Sequence, residues 1–404
     1  MPRIKPFAAL YPQPELAEKV VSYIEAMSIG EAKEERSKNA ISYLNLLVPD
    51  VKDVQHTDRH AMAFEAIKDN LNSYLLRRIL LHDSQPSFYI IEISTDKESY
   101  VGIWALTHID ALLNNEIKAH ESTHTERECH LANYLEHAKL DANPVLVMYR
   151  DNEEIGQVIN FTLGSKPLLD FTIPEGCHRV WRVEKKQEEG LTNAFATIET
   201  CYIADGHHRA AAAIRYASRI GEPASETNGA YYFSTVYSAL SAIRVLPFHR
   251  LIKGFDNLQV NNFLHMVRKS FHVHQVPSND YKPENGAFLM YLKRMMFCLM
   301  PKDHILEPKA LVRNLDVSLL HRYLLNPILD ISDDDDNRIN YVSAQDPLKL
   351  LNSVNIGEFD IAFILAPPSA EQIISVAESG ETLPAKTTYI QPKFPVGLLV
   401  HKLT

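Results

Sequence analysis

The sequence predicts a mixed α/β protein, in the wide sense that includes α+β arrangements. β-Branched and apolar runs such as residues 87–94 and 196–203 have the composition of buried strands. Residues 62–81 instead carry apolar side chains at helical spacing. With 404 residues and 46% hydrophobic residues, the chain can bury a sizeable core, as one large domain or as two.

In chain order, the pattern begins with short surface helices and continues with a hairpin. Residues 16–27 and 31–39 are rich in Glu, Lys and Ala, which favours helices. Residues 87–94 and 100–106 predict two strands joined by the polar residues 95–99. Further helices are predicted over 126–139, 261–269 and 316–325, and further strands over 144–149, 157–162, 179–183, 231–246 and 360–365.

Composition excludes several classes of protein. The 14 Gly form neither a G-x-G-x-x-G nor a G-x-x-x-x-G-K-[ST] pattern, which argues against a Rossmann dehydrogenase and a P-loop NTPase. The four Cys form no C-x-x-C pair, which argues against a structural zinc site or a disulfide framework. The start has no apolar signal region and no run is long enough to span a membrane, so we expect a cytoplasmic protein without a membrane partner.

The chain is expected to divide near residue 253. Residues 1–253 form an N-terminal α/β portion, and residues 254–404 form a C-terminal α+β portion. The net charge of -10 argues against a nucleic-acid partner without excluding a local basic site. A homodimer is an open alternative to a monomer.

The most informative local feature is Ala-Asp-Gly-His-His-Arg at 204–209, between a β-branched run and an Ala-rich run. This change in composition predicts a strand, a turn and a helix. Gly206 allows close backbone approach, Arg209 can pair with phosphate oxygens, and His207 and His208 add donors or a base. A phosphate at the helix N-terminus is the functional interpretation. Asp205 either caps the helix or acts as a base or Mg²⁺ ligand.

A second group lies at Ile-Lys-Ala-His-Glu-Ser-Thr-His, residues 117–124. His120 and Glu121 can form an acid/base pair, and the alternative is a capped helix start. The literal H-E-x-x-H is a zincin pattern. We expect no zinc protease here, because the segment sits at a loop-to-helix junction where two His would not share one helical face.

Two more segments offer cationic side chains. His249 and Arg250 follow a Pro, and His178 and Arg179 form a similar pair; each is either functional or a surface pair at a strand end. Lys386, Thr387 and Lys393 lie in a segment with three Pro, which suits an ordered loop that brings cations to an anion. The alternative is an edge strand with solvated Lys.

Together these motifs resemble one family. The chain is similar to the domain of unknown function 1015 family in Ala-Asp-Gly-His-His-Arg-Ala (204–210), Ile-Lys-x-His-Glu-x-Thr (117–123), Leu-Pro-x-His-Arg-Leu (246–251) and Leu-Pro-x-Lys-Thr-Thr-Tyr (383–389), and in Ile-Lys-Pro-Phe-x-Ala-Leu at 4–10. The likeness runs from residue 4 to about residue 400. The family is often labelled SpoOJ/ParA/ParB/RepB-type.

The resemblance implies a ParB/sulfiredoxin-like mixed-sheet core with additional helices, in which residues 206–209 meet a nucleotide phosphate. It also implies ATP or ADP, or CTP, as the nucleotide, with Mg²⁺. An association with serine-biosynthesis genes favours phosphoryl transfer between a nucleotide and serine, phosphoserine or a similar small hydroxy acid. The family's Pro-Tyr-Asp-Val segment has only Glu25 as its acid here, and Cys129-His130 replaces an Asp-Arg pair.

The first hypothesis is therefore a nucleotide-dependent phosphotransferase. It assigns catalysis to Asp205, Glu25, His120 and Glu121, phosphate binding to residues 206–209, and Mg²⁺ to Asp205. The substrate is assigned to Lys118, Thr123, His249, Arg250, Lys386, Thr387 and Lys393. The alternative is a ParB-like nucleotide- and DNA-binding protein without small-molecule kinase activity, which would carry a basic helix-turn-helix face.

Overall fold

The computed structural model describes residues 2–25, 27–47, 57–96, 98–220, 228–255, 260–277, 283, 286–332, 336–343 and 347–403. The chain divides into two compact units. Unit 1 contains Met1–Lys118, Thr123–Ile243 and Pro392–Thr404, and unit 2 contains Ala119–Ser122 and Arg244–Gln391. The long segment of unit 2 begins at Arg244 with a strand that ends at Ile252, and the expected boundary at residue 253 lies just after that strand. Both helices and strands are abundant, which confirms the mixed α/β class.

Unit 1 is organised around a nine-stranded mixed sheet in the order β6-β11-β8-β12-β5-β4-β10-β9, with β1 beside the end of β5. Along the chain, the strands of unit 1 up to residue 239, inside and outside this sheet, are β1 (Ile4–Lys5), β2 (Leu10–Pro12), β3 (Leu80–His82), β4 (Tyr89–Ser94), β5 (Ser99–His108), β6 (Ile117–Lys118), β7 (Leu140–Asp141), β8 (Val145–Tyr149), β9 (Leu169–Ile173), β10 (Gly176–Arg182), β11 (Cys201–Asp205) and β12 (Tyr232–Ala239). The β6–β11 and β8–β12 pairs are parallel, whereas β11–β8 and β4–β5 are antiparallel. β2 pairs with β3 outside this sheet.

The helices of unit 1 are α1 (Ala17–Val20), α2 (Ile29–Lys38), α3 (Thr57–Leu76), α4 (Asp110–Leu113), α5 (Thr125–Ala138), α6 (Glu153–Leu163), α7 (Lys185–Phe195) and α8 (His207–Ile220). The core includes Trp181, which is buried, together with β-branched residues of β4, β5, β8 and β11. α8 turns its alanines inward: Ala210, Ala213 and Ala217 belong to this core. Small side chains let the helix backbone lie close to the sheet, which fixes its N-terminus at the end of β11.

Unit 2 has a second, seven-stranded sheet in the order β14-β16-β15-β18-β13-β17, with β19 beside β13. Its strands are β13 (Arg244–Ile252), β14 (Phe271–Val276), β15 (Phe288–Leu292), β16 (Met295–Pro301), β17 (Ile339–Ser343), β18 (Ile361–Ile364) and β19 (Thr388–Gln391). Its helices are α9 (Val260–Ser270), α10 (Asp316–Leu320), α11 (Asn326–Leu329), α12 (Pro347–Asn355) and α13 (Ala370–Ser379), with a π-helical turn at His321–Leu325 between α10 and α11. The last strand of the chain, β20 (His401–Lys402), belongs to unit 1 and pairs with β7.

Most of the predicted elements are confirmed, including the β4–β5 hairpin and the strand, turn and helix at 201–220. The strand predicted over 157–162 is wrong, because these residues lie within α6. Asn152 caps that helix by accepting from the Ile155 N–H at 3.1 Å, and Ile155, Val158 and Thr162 form its buried face. The predicted helix over 62–81 ends at Leu76 and is followed by β3.

Among the described residues, no helix combines the length and the apolar character needed to cross a membrane.

Candidate functional site

The turn between β11 and α8 requires a glycine. Gly206 has φ +96°, a backbone conformation that residues with a side chain rarely adopt. A Cβ atom at this position would lie 2.9 Å from Nε of Arg209. The guanidinium of Arg209 therefore packs directly against the Gly206 backbone, and the missing side chain makes room for it.

Asp205 sits between two cations at this turn. It accepts a hydrogen bond from Nη2 of Arg209 and another from Nζ of Lys393, the latter at 2.7 Å. Burial alone would raise the pKa of Asp205, but the charges of Arg209 and Lys393 lower it to about 2. Asp205 is thus an ionised, positioned carboxylate at neutral pH, and it is a poor base.

Lys393 brings a second carboxylate to the group. Its Nζ lies 3.3 Å from Oε2 of Glu25, and its side chain is only 14% exposed, whereas that of Glu25 is 40% exposed. Burial would lower the pKa of Lys393, but Asp205 and Glu25 raise it overall. Four residues of the sequence hypothesis, Glu25, Asp205, Arg209 and Lys393, therefore form one contiguous charge cluster in unit 1.

Arg209 is anchored on its other side by residues that the sequence hypothesis missed. Its Nη1 donates to Oδ1 of Asn143 and to the carbonyl of Pro144. Nearby, Oδ2 of Asp141 accepts from the Ser234 N–H at 2.7 Å. Burial raises the pKa of Asp141 to about 7, against the opposing effects of that hydrogen bond and of the Arg209 charge. The Asp-x-Asn-Pro turn signal at 141–144 was the available clue.

His207 and His208 occupy the first turn of α8 in different environments. His207 is buried, and its charge contributes to the low pKa of Asp205. Nε2 of His208 accepts the backbone N–H of His124 at 3.1 Å, and the two rings stack with centroids 5.7 Å apart. Burial, with smaller effects from Arg127 and His124, lowers the pKa of His208 to about 4. His208 is therefore neutral, with Nδ1–H as its donor.

The start of α5 is held by a network of side chains and not by a side-chain cap. His124 is the N-cap residue and makes no side-chain cap. Thr123 donates to Oε1 of Glu128 at 2.6 Å, and Arg215 of α8 donates to Oε2 at 2.6 Å. These hydrogen bonds lower the pKa of Glu128. Thr123 therefore takes part in joining α5 to α8.

Tyr23, two residues before Glu25 in the chain, is half-buried and pairs with the buried ring of His178. Tyr23 donates its hydroxyl to Nε2 of His178 at 2.9 Å, and Nδ1 of His178 donates to the Gly176 carbonyl at 3.0 Å. His178 has no exposed surface and stacks on Phe171, and burial lowers its pKa to about 4. The surface-pair interpretation of His178 is wrong, since the ring is buried within unit 1.

The other predicted site residues are divided between the units. Lys118 lies on β6, where it pairs with Tyr202 of β11 in unit 1. In unit 2, His120 is buried, and Oε1 of Glu121 accepts from the Thr388 hydroxyl at 3.3 Å. This segment precedes α5, so His120 and His124 do not share a helix.

Arg250 is held in place by hydrogen bonds and a ring contact within unit 2. It donates to the carbonyls of Phe248 and, at 3.0 Å, Lys386, and its guanidinium lies over the ring of Tyr341. His249 and Arg250 are both buried, so they are not a surface pair. Burial lowers the pKa of His249 to about 4. Lys386 is exposed, with φ +55°, and Thr387 is buried and donates to the Pro384 carbonyl at 2.5 Å.

Comparison with known families fits these motifs. Residues 4–318 match the model of a family described as "Protein of unknown function (DUF1015)". The chain belongs to the DUF1015 family. The match includes the Gly206 turn and the 117–124 segment, and it ends before the segment that carries Lys386 and Lys393.

Several solved structures are distantly similar to this DUF1015 protein. A free serine kinase in complex with AMP is 15% identical, with a TM-score of 0.37, and the match covers 75% of this chain and 91% of that one. A mutant of free serine kinase in complex with ADP is 14% identical, with a TM-score of 0.40 and the same coverage. A conserved hypothetical protein from Pyrococcus furiosus is 15% identical, with a TM-score of 0.38 and coverage of 74% and 95%.

Likenesses at this level assign neither a ligand nor a reaction to this chain. No curated protein matches the sequence.

Proposed function

We propose that this protein is a nucleotide-dependent phosphotransferase whose phosphate-binding element is the start of α8 and whose acceptor is serine or a similar small hydroxy acid. One observation carries the proposal: the Gly206 turn, the N-terminus of a 14-residue helix and two oriented cations, Arg209 and Lys393, converge in unit 1. Phosphoryl transfer depends on positioning and charge stabilisation, and these are the properties of such a cluster.

The groups that would contact the phosphate are N–H donors of the first turn of α8 and of Arg209. The first turn of a helix has N–H groups that its own backbone does not use, and the helix dipole favours an anion there. Among the residues that the structure describes, Arg209 uses three of its five N–H hydrogens on Asp205, Asn143 and Pro144, which leaves two for a phosphate oxygen. The two carboxylates, Asp205 and Glu25, balance the two cations. The cluster therefore has no net charge of its own, and backbone N–H groups carry much of the anion binding.

Within this proposal the carboxylates have different roles. Asp205, with its pKa of about 2, positions Arg209 and Lys393. Glu25 is the more exposed carboxylate and takes the proton of the acceptor hydroxyl. The hydroxyl oxygen then forms the new bond to phosphorus as the bond from phosphorus to the nucleotide's leaving oxygen breaks. Lys393 stabilises the charge on the transferred group.

The predicted Mg²⁺ at Asp205 does not fit the side chains as they are arranged. Both carboxylate oxygens of Asp205 already accept hydrogen bonds from cations. Across the described ranges of the chain, no three His, Cys, Asp or Glu side chains come together as a metal site. The proposed roles of Asp205 and Glu25 therefore do not involve Mg²⁺.

Phosphorus NMR of reaction mixtures tests the proposal. The protein is incubated with serine and ATP, with serine and ADP, with serine and CTP, and in reverse with phosphoserine and ADP. We expect phosphoserine to form or to be consumed in at least one mixture. Folded protein without turnover in any of them would refute the serine phosphotransferase.

Glu25→Gln tests the base. We expect kcat to fall by about 10²- to 10⁴-fold with little change in stability, since the removed group is a half-exposed carboxylate. Glu15→Gln, an exposed change in the same segment, is the matched control and keeps wild-type kcat. Unchanged kcat in Glu25→Gln would remove Glu25 from the mechanism.

The remaining sequence assignments stay predictions. These are the catalytic roles of His120 and Glu121, the substrate roles of Lys118, Thr123, His249, Arg250, Lys386 and Thr387, the ParB/sulfiredoxin-like superfamily, the homodimer and the DNA-binding alternative. Salt-dependent DNA binding at physiological ionic strength would favour that alternative.

A further inference from the structure

Unit 2 contains a small cavity that the phosphotransferase proposal does not use. Its volume is about 40 Å³, enough for roughly three to four water-sized groups. Leu315, Val317, Leu365, Ala366 and Pro368 form apolar walls. Its polar lining comes from Gly286, Asn314, Asp316, Gln372 and Thr387.

Asp316 is the charged group of this cavity, and it is 8% exposed. Its Oδ2 accepts one long hydrogen bond, from the Gly286 N–H at 3.3 Å. In the part of the chain that the structure describes, its Oδ1 is closed to solvent and has no hydrogen-bond partner. Burial raises the pKa of Asp316 to about 7, against the effect of the Gly286 hydrogen bond. A buried carboxylate oxygen without a donor is costly, so a group that supplies one would be stabilised there.

The other polar groups define which ligand would fit. Among the lining residues, all of which the structure describes, there is no Lys, Arg or His. Gln372 accepts the Ser369 N–H through Oε1 at 2.8 Å, so this side chain would act toward a ligand as a donor, through its amide N–H groups. Thr387 donates its hydroxyl proton to Pro384 and keeps acceptor lone pairs. Asn314 is used by Glu307 at both ends of its amide.

We propose that this cavity binds a short-chain primary ammonium compound, with Asp316 as the counter-ion and the apolar walls against its carbon atoms. The ammonium supplies up to three donors, for Oδ1 of Asp316 and the Thr387 oxygen, and a hydroxyl on the second carbon accepts from Gln372. Because Oδ1 is closed to solvent, entry includes a small displacement of the half-buried rim, of which Gln372 is part.

Two other ligand classes fit less well. Ca²⁺ and Mg²⁺ need six or more oxygen ligands, and the cavity offers one carboxylate with few other acceptors; its lining residues include no His or Cys for zinc. A free amino acid would bring a carboxylate into a site whose lining has no cation, next to Asp316. The site therefore favours an amino alcohol over an amino acid, and it does not depend on the proposed reaction with serine.

Ethanolamine hydrochloride is the probe, added to the full-length protein at pH 8 with sodium chloride at matched ionic strength as the reference. The amide resonance of Gly286, whose N–H contacts Asp316, is followed by NMR, and the affinity is measured by calorimetry. We expect saturable binding of ethanolamine, at least tenfold weaker binding of serine, and no effect of sodium.

Asp316→Asn keeps the size of the side chain and removes its charge, so we expect at least a tenfold loss of ethanolamine affinity. Asp303→Asn, the same change at an exposed position of unit 2, is the matched control and binds as wild type. The proposal is overturned if wild-type protein shows no saturable binding, if sodium produces the same change, or if Asp316→Asn binds ethanolamine as well as wild type. The comparison of ethanolamine, serine and sodium uses wild-type protein only, so it remains decisive even if the variant does not fold.

Discussion

Replacing Asp205 by Asn is expected to destabilise unit 1 by about 2 kcal/mol at pH 7. The pKa of Asp205 falls from an ordinary value of 3.8 to about 2 in the folded protein. At about 1.4 kcal/mol for each tenfold change in proton affinity, this lowering corresponds to roughly 2 kcal/mol. The side chain is 24% exposed, so solvent screening removes only part of this energy.

The sign of the pH dependence follows from the lowered pKa. The folded state holds the Asp205 proton less tightly than the unfolded state, so the stabilisation is fully present above about pH 4 to 5. It decreases as the pH falls toward about 2, and about half of it remains at pH 3. The difference in stability between wild type and Asp205→Asn should therefore shrink over the same range.

Urea unfolding followed by tryptophan fluorescence measures this effect selectively. The chain has two Trp, Trp104 and Trp181, and both are buried in unit 1. Asp96→Asn changes an exposed carboxyl of unit 1 and should alter stability by less than about 0.5 kcal/mol. The reasoning is refuted if Asp205→Asn is as stable as wild type at pH 7, or if its deficit is the same at pH 3.5 as at pH 7.

Two other changes test the same unit by the same fluorescence assay. Gly206→Ala should lower the free energy of unfolding by about 1 to 3 kcal/mol, because the residue has φ +96° and its Cβ would press on the Arg209 guanidinium. Gly156→Ala, in a helix with open space around it, is the control and should be neutral or stabilising. Equal effects of the two changes would contradict this account of the turn. His178, whose pKa is lowered to about 4 by burial, stabilises the fold fully above about pH 6.5 and progressively less down to about pH 4, by up to about 3 kcal/mol. His178→Gln should therefore flatten the pH dependence of unfolding in this window, and an unchanged slope would show that the folded and unfolded states bind a proton on this ring equally well.

Local composition was enough to predict the strand, turn and helix around Gly206, at the centre of the candidate site. The change from β-branched residues to alanines around Gly206 specifies both β11 and α8, because each propensity agrees with the burial of its element. The same approach failed at 157–162, where Val, Ile, Phe and Thr suggested a strand. The cap at Asn152 and the helical spacing of the buried face determine that segment instead.

Contacts between distant parts of the chain could not be predicted from local patterns. Lys393 is 188 residues from Asp205 in sequence, and nothing near either residue indicates that they pair. The division of the chain has the same origin, since residues 392–404 belong to unit 1 after a long segment of unit 2. Because these last residues return to unit 1, a single boundary at residue 253 does not separate the two units. The pairing of Tyr23 with His178 depends on this kind of long-range contact as well.

The binding of a nucleotide phosphate at the start of α8 is tested most directly by amide NMR of the full-length protein during titration with ADP. The account predicts saturable shifts of the His207, His208 and Arg209 amides, with at least tenfold weaker binding in Gly206→Ala and wild-type affinity in Gly156→Ala. Saturable ADP binding that leaves these three amides unchanged, or the absence of ADP binding by folded protein, would contradict it.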